Sequence, residues 1–214
     1  NPEKLELSDT QRKQFQGRDG LTYVVMGEAF MQNDQLDLAE SCFDKANEIK
    51  ENPALYALRS AHVANRRDDV EKSLGHLNDY FEVGDKNTAS DAYQLLWEVH
   101  KKAASKEDLA RKQTIETLNS LLEKDTDNAR LKTVIANHER DRKHYATAEG
   151  LYREVLAKQT SKGTIKSFLE LFLDKNTQRG PKAHRSSITP LEVVWLLARA
   201  SESTYSFENL DADQ

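Results

Sequence analysis

The chain has 214 residues, of which 37% are hydrophobic and 31% charged, with a mean hydropathy of −0.79. That length suits one large domain or a short array of repeats, and that polarity suits thin layers of helices rather than a thick core. A net charge of −5 argues against a general nucleic-acid binder, and the single cysteine, Cys42, excludes an internal disulfide and a thiolate metal cluster.

With only 8 Gly and 4 Pro, breakers are few and long helices are favoured. No alternating Val/Ile/Thr run bounded by turns marks a strand. No run approaches the roughly 18 apolar residues of a membrane-spanning helix. Asn1, in place of an initiator Met, raises the expectation that the sequence is a piece of something longer.

In chain order, a weak helix is expected near 8–16, starting at Ser8. Stronger ones follow near 20–33, 36–50, 54–66, 69–83, 89–103, 106–124, 129–142, 144–159, 164–174 and 190–201. Asn52-Pro53 reads as an N-cap followed by proline at the first helical position, where its missing N–H costs nothing. Thr88 with Asp91, and Ser105 with Asp108, have the spacing of a capping box. Thr189-Pro190-Leu191-Glu192 combines both signals, and Gly84 and Gly163 sit where helices should stop. Very short turns join the two helices of each pair, which must therefore lie antiparallel.

A period runs through these helices. Leu36, Ala39, Phe43 and Ala46 are spaced 3, 4 and 3. The spacing returns 34 residues on at Val70, Ser73, Leu77 and Tyr80, again at Tyr145, Ala148, Tyr152 and Val155, and once more at Leu191, Val194, Ala198 and Ser201. Steps of three and four place such residues on one helix face. A small residue at the second position lets the neighbouring backbone approach.

Tyr23-x2-Met26-Gly27-x2-Phe30, followed by Ala39-x3-Phe43 and by Ala46, resembles the 34-residue tetratricopeptide repeat (TPR) pattern. The resemblance places four repeats at 20–53, 54–87, 88–128 and 129–162, after an N-terminal segment 1–19. The second is degenerate at Ala57, Ser60, Ala61 and Ala64, and the third is about seven residues too long. A divergent fifth pair would span 163–201, split by a basic loop at 174–188, with an acidic tail or linker at 202–214. The implied fold is all-α, a right-handed solenoid of antiparallel helix pairs forming a TPR-like superhelix.

The resemblance also implies a function. The first helix of each pair lines a concave groove that holds a segment of a protein partner. Groove positions are expected at Leu21, Val24, Glu28, Met31 and Gln32, then Leu55, Leu58, His62, Asn65 and Arg66, then Arg130, Thr133, Asn137, Arg140 and Asp141. Among these, Glu28, Met31, His62, Asn65, Arg66, Asn137 and Arg140 form the candidate binding set, with Arg66 and Arg140 suited to an acidic segment. The family's lysine–asparagine clamp for a C-terminal carboxylate is not repeated here: Val24 and Glu28 hold the matching positions, and Glu28 would repel a carboxylate.

Catalytic and metal signatures fail in detail. His138-Glu139 begins like a zinc-protease helix, but Arg142 stands where the second histidine belongs. Asp125-x-Asp127-Asn128 begins like a calcium loop, but Arg130 replaces the glycine and Ala136 the closing glutamate, and Asp127 reads more simply as an N-cap. No Gly-rich phosphate loop or Gly-x-Ser-x-Gly occurs. Cys42, beside Phe43, reads as a buried thiol. No catalysis, metal or cofactor is therefore expected.

Two features stand apart. The run 174–187 carries Lys175, Arg179, Lys182, His184 and Arg185, and long loops of this kind are often functional or disordered. Helix 190–201 has six consecutive apolar residues from Val193 to Ala198. With Leu191, Val194, Trp195 and Ala198 on the face that the pattern buries, Val193, Leu196 and Leu197 would form a surface for self-association or for continuation of the solenoid. The reading is a non-catalytic interaction scaffold; the alternative is an accessory repeat domain of a larger enzyme or membrane-associated assembly.

Overall fold

The computed structural model of the protein describes residues 20–49, 52–83, 90–159, 161–173 and 193–198. Nine helices carry them: α1 (Gly20–Gln32), α2 (Leu36–Ile49), α3 (Pro53–Arg66), α4 (Val70–Val83), α5 (Ser90–Ala103), α6 (Glu107–Lys124), α7 (Ala129–Asp141), α8 (Tyr145–Lys158) and α9 (Lys162–Leu173). A short helical stretch follows at 193–198, and no strand occurs among the described residues. The described residues are all-α and built from antiparallel helix pairs. No described helix is long and apolar enough to cross a membrane. The weak helix near 8–16, Gly84, Thr88, the basic run 174–187 and the signal at 189–192 lie outside the described residues.

The tight turns are built from backbone bonds that repeat with the sequence period. Gln35 N donates to Phe30 O, Asp69 N to Ala64 O and His144 N to Glu139 O, at 3.0, 2.9 and 2.8 Å. Inside each turn one residue takes a left-handed conformation: Asp34, Asp68 and Lys143, with φ of 56°, 57° and 67°. The six-to-one bond satisfies a helix-end carbonyl, and the left-handed residue reverses the chain, a place usually given to glycine. Asp34 and Asp68 are 34 residues apart, so the period is visible in the turns as well as in the core.

Helix starts follow local capping chemistry. Asn52 Oδ1 accepts from Leu55 N at 3.0 Å, with Pro53 as the first helical residue. Asp69 Oδ1 accepts from Lys72 N at 3.1 Å. Three expectations need correction. Asn128, not Asp127, caps α7, accepting from Leu131 N at 2.9 Å; Asp127 instead pairs with Lys158. The first backbone bond of α6 runs from Ala110 N to Lys106 O, which puts Lys106 rather than Ser105 at the cap position. Gly163 does not stop a helix: Ser161 Oγ accepts from Thr164 N at 3.4 Å, α9 starts at Lys162, and Gly163 falls in its first turn.

The chain divides into two compact units, Asn1–Ala110 and Arg111–Gln214. In the first, α1 packs on α2, α2 on α3, α3 on α4 and α4 on α5. Ala39, Phe43 and Val63 form one buried cluster, with Phe30, Met31, Leu36 and Tyr56 packed against it. Tyr23, Val24 and Ala46 form another, backed by Leu55. A Cβ built on Gly27 would stand 2.4 Å from Cε1 of Phe43, so only glycine permits this approach. Ser73, which holds the Ala39 position of the second pair, is fully buried and donates to Ala61 O at 2.9 Å. The Phe81 and Tyr93 rings stack at 5.9 Å and tie α4 to α5. Burial pushes the Cys42 thiol up from its ordinary value, which disfavours the reactive thiolate.

In the second unit, α7, α8 and α9 enclose Ala136, Ala148, Tyr152, Leu156, Ile165, Phe168 and Leu171. Leu196, from the stretch 193–198, is 2% exposed in this same core, and Val193 packs against it. This reverses the expected face: Val194, Trp195 and Leu197 are the exposed residues. A run of six apolar side chains has no polar residue to mark its outer side, so a register borrowed from the preceding repeats oriented it wrongly. Leu196 and Val193 belong to the chain's own core, and only Leu197 remains of the proposed surface.

The left-handed turn residues generate a prediction. A non-glycine residue at positive φ costs about 1–2 kcal/mol, and glycine forfeits about 0.5–1 kcal/mol through backbone entropy. Lys143→Gly is expected to raise stability by up to about 1 kcal/mol, read as a higher urea midpoint at unchanged slope. A lower midpoint would show that Lys143 stabilises the turn by more than its conformation costs.

Candidate partner-binding surface

In the first unit, the first helices of successive pairs are joined by ion pairs spaced about one repeat apart. Arg59 of α3 reaches Glu28 of α1 at 2.5 Å and Asp91 of α5 at 3.8 Å. Arg66 donates to Asp34 at 2.8 Å and to Met31 O at 2.9 Å. Lys102 of α5 donates to Asp68 at 2.7 Å and to Asn65 O at 2.6 Å. Arg67 bridges Asp37 and Glu40 of α2. These groups are partly exposed, so each pair is worth about 0–1 kcal/mol, and their effect is to hold register more than to add stability.

The candidate residues of this unit therefore sit in a connected cluster, but not as free ligand-binding groups. Glu28 and Arg66 are engaged within the chain, with Arg59 and Asp34. Met31 is half-buried against the Ala39–Phe43–Val63 cluster. His62 Nε2 and Asn65 Oδ1 are buried without a hydrogen-bond partner, as is Arg59 Nε. His62 Nε2 lies 3.8 Å from Asp91, too far for a hydrogen bond. Burial lowers the His62 pKa, the Arg59 charge lowers it further, and Asp91 opposes both.

Arg59 and Asp91 were not among the candidates, yet they connect three helices. The signal was available: opposite charges recur 27 to 34 residues apart, as in Arg67 with Glu40 and Lys102 with Asp68.

Between α1 and α3, and floored by α2, the chain forms a partly open cavity of about 320 Å³. Leu21, Val24, Phe43, Ala46, Leu55 and Tyr56 give it apolar walls, and Asn47, Asn52 and Arg59 are its polar lining. Leu21 and Val25, on the same helix, are 66% and 57% exposed.

In the second unit the two candidates are again committed. Asn137 Oδ1 accepts from Tyr152 OH at 2.7 Å. Arg140 donates to Glu170 at 3.0 Å and to Ser167 O at 3.2 Å, and lies 3.6 Å from Asp141. Burial raises the Tyr152 pKa far above its ordinary value, so the phenol stays protonated and donates. Thr133, another expected groove residue, meets Thr164 Oγ1 at 2.9 Å. Arg66 and Arg140 thus hold helices to their neighbours.

The His62 environment sets a pH dependence. Its folded pKa lies below the unfolded value of about 6.5, so the unfolded chain takes up the proton first. Stability is full above that value and is lost as pH falls through it towards the folded pKa. Buried His100, also lowered by desolvation, acts in the same direction. The urea midpoint is expected to drop between pH 7.5 and 5.5, and His62→Gln should narrow that drop. An identical drop in the variant would show that His62 titrates alike in both states.

No protein-family model matches the chain, and no curated protein matches it in sequence. Solved structures of similar shape include two crystal structures of MamA. One is 13% identical and covers 83% of this chain and 94% of that one, with a TM-score of 0.48. The other is 14% identical and covers 91% of this chain and 98% of that one, also with a TM-score of 0.48. A likeness of that size carries no argument about what this chain binds.

Proposed function

We propose that the chain is a non-catalytic interaction scaffold of the tetratricopeptide-repeat kind, whose first-helix face in the residue 20–103 region holds a segment of a protein partner. The observation that carries the reading is the apolar cavity between α1 and α3, next to exposed Leu21 and Val25. A pocket of this size with few polar groups is the usual form of a recognition site. The surrounding ion pairs already neutralise most charges on that face, so apolar contact rather than charge would supply the binding energy.

The rigid helix pairs make this a preformed surface, which lowers the ordering cost of binding. Position 21 is expected to touch the partner and position 79, on exposed Asp79 of α4, is not. A photo-cross-linking amino acid placed at each position in turn, in the full chain and in extract of its native source, reads this directly. Adducts with another polypeptide from position 21 and none from position 79 are expected. Equal adducts from both positions, or none from position 21, would contradict the reading.

A further inference from the structure

The polar lining of the α1–α3 cavity is biased towards one hydrogen-bonding role. Asn47 Oδ1 accepts from Asn52 N at 3.4 Å, and Asn52 Oδ1 accepts from Leu55 N at 3.0 Å. Each amide oxygen thereby already accepts one bond inside the chain, and neither Nδ2 group is bonded to a described residue. Arg59 offers donors only, but its Nε is buried and its outer nitrogens face Glu28 and Asp91. The two asparagine Nδ2 groups are thus the N–H donors left for whatever enters, and a ligand meets them with acceptors.

The sign of the neighbouring charge narrows the acceptor. Two of the lining residues each hold a carboxylate at their outer end: Tyr56 OH donates to Asp44 at 2.9 Å, and Arg59 pairs with Glu28. An anion entering here would meet an Arg59 charge already paired with Glu28, and would be repelled by Glu28 and Asp44, which are partners of lining residues rather than part of the lining. Neutral carbonyls meet the same donors without that repulsion. The walls are apolar, and about 320 Å³ lies at the small end of the range for ligand sites, enough for one large side chain rather than a whole small molecule.

We propose that this cavity is an anchor site for one large apolar side chain of an extended partner segment, with neutral main-chain carbonyls flanking the anchor rather than a carboxylate. This rests on the scaffold reading and gives the chemistry of its partner. Asn47 and Asn52 then select the segment by donating to its carbonyls, and the walls hold the side chain by burial.

Three probes separate the contributions: N-acetyltryptophan amide, N-acetyltryptophan with its free carboxylate, and 3-methylindole. Their binding to the full chain is followed by NMR on the backbone and Asn side-chain amides. The amide is expected to bind on the order of threefold to tenfold tighter than 3-methylindole and tighter than the acid, consistent with one or two net hydrogen bonds. The side-chain amide signals of Asn47 and Asn52 should shift with the amide probe. Asn47→Asp, which keeps the acceptor oxygen and removes the donor, should abolish that advantage, read as the ratio of amide to 3-methylindole affinity within the same variant. Asn47→Leu should do the same and serves if the first variant folds poorly. Tighter binding of the acid, equal binding of all three probes, or no shift with any of them would overturn the assignment. Cross-links from position 21 without discrimination among the probes would overturn the anchor chemistry and leave the scaffold reading standing.

Discussion

The close approach of two antiparallel helices at small-residue positions is the constraint on which the rest of the structure depends. Helices of 13 or 14 residues are marginal alone in water, so each must bury a face against its neighbour. Gly27 gives Phe43 the space for its ring, and fully buried Ala39 serves the same contact from the second helix. The second pair places Ala61 and Ser73 at the corresponding positions, and the third of this kind places Ala136 and Ala148; all four are fully buried. Ser73 adds a hydrogen bond to Ala61 O, so the contact tolerates a hydroxyl when a carbonyl lies within reach.

That packing fixes where the remaining side chains fall, and it spends most of the charge on the first-helix face in holding adjacent pairs together. Arg59, Arg66 and Lys102 each bridge to a neighbouring pair in the first unit, while Arg140 does so in the second. On the proposed function, what is left for recognition in the first unit is mainly apolar: the cavity lined by Leu21, Val24 and Leu55, with two asparagines whose oxygens each accept a bond within the chain. On the proposed function, such a scaffold would recognise shape and main-chain acceptors before charge.

Much of the fold was legible because its determinants are local. Asn52-Pro53 marks a helix start by itself, and three-residue turns force antiparallel pairs. The 3-4-3 spacing identified Ala39, Phe43, Ala148 and Tyr152, all now buried. Longer-range features were less legible. Groove positions inherited from a repeat pattern say where a side chain stands but not whether it is already paired, and the partner of Arg66 is a turn residue, Asp34, one repeat away. The orientation of 193–198 was missed for a different reason: an all-apolar run carries no polar marker for its outer face. The cavity itself was invisible, because it arises from side chains on three helices that the sequence places up to 38 residues apart, from Leu21 to Arg59.

The central claim is that the Gly27–Phe43 contact sets the approach of the first pair, and a double-mutant cycle tests it most directly. Gly27→Ala alone should cost about 1–3 kcal/mol, because the new Cβ overpacks against the ring. Combined with Phe43→Leu, the residue type that Leu77 supplies in the second pair, most of that cost should disappear. Urea denaturation of the four proteins in the cycle gives the coupling energy. A coupling close to the full Gly27→Ala penalty is the predicted result. Strict additivity, with Gly27→Ala equally costly in both backgrounds, would contradict the account.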